Sequence, residues 1–163
     1  MTPVIRRLTS DDAQELAWLL ASNREILAPF QPDWSEDFWT VDGQYERIRM
    51  AEHLYGVVHD GLAGTISLSN VVRGPFQSAS VGYWVAEAWQ GRGLATRAVG
   101  AVVDLAFGEL ELHRLEAATL VDNVASQRVL EKNRFTRIGV APRYLHISGA
   151  WRDHLLFQRT VEH

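Results

Sequence analysis

Residues 81–96 constrain the fold of this chain more than any other stretch: Val-Gly-Tyr-Trp-Val-Ala-Glu-Ala-Trp-Gln-Gly-Arg-Gly-Leu-Ala-Thr. A short apolar run with strand character reaches a glycine-rich turn, and an Ala/Val/Leu helix pattern follows at once. That order aims unpaired backbone N–H groups and the positive end of a helix dipole at whatever lies above the turn. A phosphate or pyrophosphate is the natural occupant, and Gly91 and Gly93 let the backbone approach it without a Cβ in the way. A Gly-x-Gly pair alone equally serves an ordinary strand-to-helix turn. The frame becomes more telling because Asn123-Val124-Ala125-Ser126 opens a further helix after the next strand.

The rest of the chain supplies a sheet and helices around that motif. Residues 4–8 read as a strand, and Ser10-Asp11-Asp12 cap a helix with Ala13, Leu16, Ala17 and Leu20 on one face. Residues 27–34 hold Pro29, Pro32 and aromatics and cannot be helical throughout, and a second helix covers 41–52. Asp60-Gly61 between apolar runs signals a hairpin of type I′. Strands follow up to residue 72 and over 78–85, then a helix from 94 to near 108 and a strand over 114–121. A helix over 123–132 and strands over 136–140 and 152–160 close the chain. The order β α α β β β α β α β β predicts a mixed α/β sheet with helices on both faces, in one domain spanning 1–163.

Composition sets the outer limits. With 163 residues, 47% hydrophobic and 22% charged, the chain is long enough to bury a sizeable core. No transmembrane run or signal peptide is visible, which favours a cytoplasmic protein without a membrane partner. There is no cysteine, which excludes disulfides, thiolate zinc and a cysteine nucleophile. The six histidines show no metal-ligand spacing, so no metal is expected. A net charge of −4 argues against a nucleic-acid partner.

Gln90-Gly91-Arg92-Gly93-Leu94-Ala95 fits the acyl-CoA signature Q/R-x-x-G-x-G/A, and the chain resembles the GCN5-related N-acetyltransferases (GNAT) on it. Segments 23–30, 69–74, 121–126, 129–135 and 149–154 are similar to the RimJ/RimL branch, the acetyltransferases of ribosomal-protein N-termini. Segments 69–74 and 151–154 look most like the RimJ side. The resemblance spans nearly the whole chain. It implies the GNAT fold, with a mostly antiparallel central sheet splayed between the strands ending at Val85 and Val121. It also implies acetyl-CoA in that opening, its pyrophosphate on the helix that begins after Gly93.

Direct acetyl transfer to an amine needs a held thioester, a free amine, a stabilised oxyanion and a proton for the departing thiolate. The backbone of Arg92, Gly93, Leu94, Ala95 and Thr96 is the candidate cofactor cradle, shaped by Gln90 and Gly91. The Thr96 hydroxyl and the Arg92 and Arg97 side chains either reach phosphate or remain in water. The strand-end N–H near Val85 is the candidate oxyanion donor. Asn123 and Ser126 share one face of the helix start; Asn123 also fits a plain N-cap, and the matching serine in RimL-like enzymes is proposed to protonate the thiolate. The base is open. The RimL glutamate falls where this chain has Leu145, leaving Glu116, which serves at least equally well as a solvated or ion-paired carboxylate on its strand face, or His146, Tyr144 or water. The acceptor pocket is expected from residues 29–34, Phe38, Trp39 and 144–151, with Asp33, Glu36 and Asp37 drawing in a protonated amine. These aromatics serve equally as core or dimer contacts, and the chain is expected to be a monomer or a homodimer.

The reaction class is therefore acetyl-CoA-dependent N-acetylation. The expected acceptor is a protein N-terminal α-amine. A small amine (antibiotic, polyamine or amino acid) is the nearest alternative, and a non-catalytic acyl-CoA-binding module a further one. A dinucleotide-binding site is excluded, because the third glycine of G-x-G-x-x-G would fall on Thr96.

Overall fold

The computed structural model describes residues 4–162. Seven strands form one sheet: β1 (Ile5–Arg7), β2 (Leu54–Val58), β3 (Leu62–Val72), β4 (Ser78–Val85), β5 (Arg114–Leu120), β6 (Thr136–Ile147) and β7 (Ala150–Thr160). The helices are α1 (Ala13–Ser22), α2 (Arg24–Leu27), α3 (Val41–Met50), α4 (Leu94–Phe107) and α5 (Val124–Lys132). The sheet runs β1-β2-β3-β4-β5-β7-β6. Every neighbouring pair is antiparallel except β4 with β5. The parallel pair is forced by the α4 crossover, since two parallel strands need a connection long enough to return along the sheet.

Period-two alternation gives each face its own core. Val57, Ile66, Val81, Leu115 and Phe157 point to one side and pack beneath α4 and α5 with Val99, Val102 and Leu130. Leu54 and Leu62 point to the other, under α1 and α3, against Leu16, Leu20 and Ile48. The α1 spacing of Leu16 and Leu20 follows from the 3.6-residue period, and both are essentially inaccessible. Asp12 holds the entry to α1: its carboxylate takes two guanidinium bonds from Arg6 at 2.9 and 2.8 Å and the Thr9 N–H at 2.8 Å. Those bonds hold its pKa below the usual carboxylate range.

The structure departs from the sequence reading at several places. A one-turn helix, α2, stands just before the 27–34 connection where the sequence reading assigned no element, and α3 stops at Met50 rather than at 52. Asp60 and Gly61 do take the positive φ values expected of them, 52° and 109°. The loop they occupy is nonetheless three residues long, with a register shift between Val57 and Val58, so it is not the two-residue turn of the reading. The largest difference is β6, which runs on to Ile147 through Pro142 rather than ending at 140. Its pairing with β7 slips between Ala141 and Leu145, Arg143 takes a φ of 48°, and the Arg143 N–H is satisfied by Asp153 at 2.8 Å. A bulge on an edge strand is where proline is tolerated. Segment 144–151, read as a loop, is therefore mostly the closing end of a hairpin around Ser148 and Gly149.

Candidate active site

β4 and β5 are paired only at Ser78↔Arg114, Ala79↔Leu115 and Ser80↔Glu116. Beyond that rung each stays zipped to its other neighbour, β4 to β3 as far as Val85 and β5 to β7 as far as Leu120. The sheet is thus open along one seam, between residues 81–85 and 117–120. The Ala86 N–H donates to the Ala63 carbonyl at 2.7 Å, toward β3. Strand alternation turns the N–H groups of Val85, Tyr83 and Val81 the other way, into the seam. On β5 the hydroxyl of Thr119 is buried without a hydrogen-bond partner. A buried hydroxyl of this kind is costly to leave unmet.

The glycine turn stands at the open end. Gly91 and Gly93 have φ values of 73° and 72°, and Gly93 is the N-cap of α4 without any side-chain cap. The left-handed conformation is what demands glycine here; a Cβ at either position would meet nothing of the protein within 4 Å. The first intrahelical closure is Arg97 N–H to the Gly93 carbonyl at 3.1 Å, which leaves the amides of Leu94, Ala95 and Thr96 facing outward. Gln90 donates to the Val85 carbonyl at 3.1 Å, so it anchors the turn to the strand end. The Arg92 guanidinium lies 5.0 Å from the Trp89 ring centre. The Thr96 carbonyl takes a bond from Asn133 at 3.0 Å, tying the end of α5 to the start of α4.

Across the seam, Asn123 caps α5 by accepting the Ser126 N–H at 3.2 Å. The Ser126 hydroxyl is 2.6 Å from the Tyr83 hydroxyl, which also lies 3.3 Å from the Ser126 carbonyl. Tyr83 therefore bridges the split from β4 to α5. Burial pushes its pKa up to about 12, against a smaller lowering by the serine bond, so it is a neutral phenol at physiological pH. Tyr83 received no role in the sequence reading. The signal was its position: an odd-numbered residue on the strand leading to the glycine turn must share the face of the helix that carries Ser126.

Glu116 sits on the other face, at the rung where the strands part. Both its oxygens are engaged, one by the Ser80 hydroxyl at 3.0 Å and one by Arg114 at 2.9 Å. Ser126 and Glu116 are thus brought to opposite mouths of one opening rather than side by side. On the Glu116 side, Asp33 reaches the β6–β7 hairpin, accepting the Gly149 N–H at 3.1 Å and lying 3.4 Å from His146. Trp34 stacks on Phe38, and Phe38 meets Trp39 edge-on. Glu36 is paired with Arg24 at 2.6 Å. Tyr144 packs on His154, and His146 on Trp151. Among the described residues no cluster of His, Asp or Glu is arranged to hold a metal, and no helix is long and apolar enough to cross a membrane.

A sequence profile of the acetyltransferase (GNAT) domain matches residues 4–136. The chain belongs to the GNAT family. Its seven-stranded, mostly antiparallel sheet matches the fold of solved acetyltransferases, and the protein is an N-acetyltransferase. It is 39% identical over 164 residues to the Probable N-acetyltransferase YjcK of Bacillus subtilis, covering 94% of this chain and 91% of that one. The ribosomal-protein-S5-alanine acetyltransferase of Vibrio fischeri superposes with a TM-score of 0.91 at 35% identity, over 96% of this chain and 91% of that one. RimJ of Mycobacterium smegmatis, solved with CoA-disulfide, gives 0.91 at 30% identity, over 96% and 81%. This GNAT chain is therefore related to the acetyltransferases of ribosomal proteins.

Proposed function

We propose that the protein transfers acetyl from acetyl-CoA directly to the N-terminal α-amine of a protein, with a ribosomal protein as the leading acceptor class. The observation that carries this reading is the β4–β5 seam, whose open end is set with the outward amides of the Gly91–Gly93 turn. The cosubstrate's pyrophosphate lies on the backbone of Arg92, Gly93, Leu94, Ala95 and Thr96, with Gln90 and Gly91 fixing the turn, and its pantetheine arm fills the seam as a third strand would. The unpartnered Thr119 hydroxyl and the seam-facing N–H groups fit that polar, amide-bearing arm.

The chemistry divides between the two faces. The amine nitrogen attacks the thioester carbon from the Glu116 side, and the developing oxyanion takes a hydrogen bond from a seam-facing N–H near Val85. Collapse of the intermediate breaks the C–S bond. The sulfur leaves toward Ser126, whose hydroxyl donates to it. With Tyr83 donating to the Ser126 oxygen, the seryl proton is turned to the sulfur; Asn123 fixes the backbone that holds Ser126. The amine gives up one proton and the thiol gains one, so the step balances without any covalent enzyme intermediate. Glu116, at the Ser80 rung five residues from Val85, accepts the amine proton through a relay of waters along the seam on breaking one of its two bonds.

The relationship to the alanine and other ribosomal acetyltransferases supports the protein N-terminus over a small amine. A mass-spectrometric screen with acetyl-CoA, offering N-terminal peptides beside polyamines, aminoglycosides and free amino acids, tests it. Acetylation of peptide α-amines in preference to the small amines is expected. Preference for a small amine would replace the acceptor, and binding of acetyl-CoA with no turnover of any amine would replace catalysis by acyl-CoA sensing.

A further inference from the structure

On the face of the sheet that carries Glu116, a second concavity opens beside the seam. It is a cleft of about 360 Å³ between the end of α3 and the far half of β3, bordered by Arg47, Glu52, His53, Ser67, Ser69 and Asn70. Its floor belongs to the same polar row as the seam. Ser69 is opposite Ser80 and Ser67 opposite Gly82 on β4, and Ser80 is opposite Glu116 on β5. Opposed residues share a face, so these hydroxyls stand one strand away from the lip of the opening.

Arg47 gives the cleft its charge. Its guanidinium lies 5.3 Å from the Phe38 ring centre and donates to the Gln44 side chain at 3.2 Å. Arg6, Arg24, Arg49 and Arg114 each have a carboxylate partner at 2.6–2.9 Å. Among the described residues none is paired with Arg47. Burial lowers its pKa from the usual arginine value, with no carboxylate near to offset the cost; arginine stays charged regardless. Glu52, the acidic group on the rim, is exposed and faces His53 at 3.6 Å. Asn70 takes a φ of 51° where β3 slips against β4 between Ser69 and Val72, and so leaves the regular ladder at the cleft edge. A guanidinium with unused donors, two hydroxyls and an amide make a set suited to a carboxylate.

We propose that this cleft binds an acidic side chain of the acceptor, at its second or third residue, and so makes the enzyme selective for it. The proposal rests on the peptide-amine reading above. At about 4.8 Å per strand, with the arm lying in the seam as a third strand, the floor on β3 at Ser67 lies roughly 10 Å across the sheet from the arm, opposite Gly82 on β4. An extended peptide advances about 3.3–3.6 Å per residue, so that advance over one or two residues together with the length of the acidic side chain itself spans the gap. A free amino acid does not, because its amine and carboxylate share one carbon.

The test uses C-terminally amidated peptides beginning with alanine and carrying Glu or Gln at position two or at position three. With acetyl-CoA saturating, kcat/KM is read from thiol release. The wild type should prefer the Glu member of at least one pair by about 10-fold or more. Arg47→Gln should erase that preference, and Arg47→Lys should keep part of it. Asn70→Gly, which tolerates the left-handed backbone while removing the amide, should narrow it. Equal rates for Glu and Gln at both positions, or an Arg47→Gln variant that slows both members alike, overturns the cleft assignment while leaving peptide acetylation standing. Failure of every peptide, acidic or neutral, overturns the peptide-amine reading and the cleft assignment with it.

Discussion

Replacing Tyr83 by Phe removes one atom from the centre of the site and gives two separable readouts. In the folded protein burial holds the phenol at a pKa of about 12, while the unfolded chain titrates near 10. A group whose folded pKa is raised contributes its full stability below the unfolded pKa and loses it as pH rises through the folded one. Between pH 9 and 11 the wild type should therefore lose about 1 kcal/mol that Tyr83→Phe does not lose, because the unfolded tyrosine ionises while the folded one resists. For a chain of this size that is a divergence in Tm of roughly 2–4 °C, checked by melting both proteins across that range. Tyr55, whose pKa is also raised by burial, contributes equally to both curves and cancels. The second readout is turnover at pH 7.5, where Phe cannot donate to the Ser126 oxygen. There kcat should fall up to about 10-fold, while acetyl-CoA affinity by calorimetry changes little. Parallel melting curves would show that Tyr83 is not buried as described, and unchanged kcat would remove it from the proton path.

Gly93→Val forces a β-branched residue to a φ of 72°, at a cost of roughly 1–2 kcal/mol or more. Calorimetry should show acetyl-CoA affinity severely weakened, and unchanged affinity would refute the amide cradle. Ser126→Ala should lower kcat by up to about 10²-fold, more than it lowers acetyl-CoA affinity; steady-state turnover equal to wild type removes it as the acid. Glu116→Gln should displace one limb of the pH–rate profile, whereas a superimposable profile passes the role of base to His146, Tyr144 or water. Arg134 ends α5 in the left-handed region, φ 62°, with Arg134 and Phe135 N–H closing on Glu131 and Leu130 at 3.0 Å each. Arg134→Gly should therefore raise stability by about 1 kcal/mol in denaturant melts with turnover unaffected.

The sequence exposed what depends on local chemistry. The glycine turn was legible because left-handed backbone beside a helix start leaves few residue choices, and Asn123 was legible as a cap because its side chain satisfies an N–H three residues on. The strand over 114–121 was likewise legible, because Leu115, Ala117 and Thr119 alternate with Glu116, Ala118 and Leu120. What stayed hidden depends on partners distant in the chain. The strand read over 136–140 fell short of Ile147, because nothing local announces that Asp153 will receive the Arg143 N–H across a bulge. Glu116 read equally as a base or as an ion-paired carboxylate, and only the fold supplies the partners, Ser80 and Arg114 on its two oxygens. Tyr83 and Arg47 were invisible for opposite reasons: one meets Ser126 across the seam, and the other, among the described residues, meets no carboxylate.

The seam itself explains why these residues act together. β3 and β7 keep the two lips of the opening fully hydrogen-bonded on their outer sides, so the gap costs the sheet only the pairings it omits. A substrate arm that supplies amides along residues 81–85 replaces those pairings, and its binding completes the sheet. On the proposed mechanism Glu116 and Ser126, on opposite faces, serve the two ends of one reacting bond system, with the amine arriving from one side and the thiol departing to the other. On this geometry a change that zips β4 to β5 beyond Ser80 abolishes activity without disturbing either core. The introduction of cross-strand cysteines at Gly82 and Ala118 tests this: oxidation should stop acetyl transfer and reduction restore it. Full activity in the oxidised protein would show that the arm does not pass through the seam.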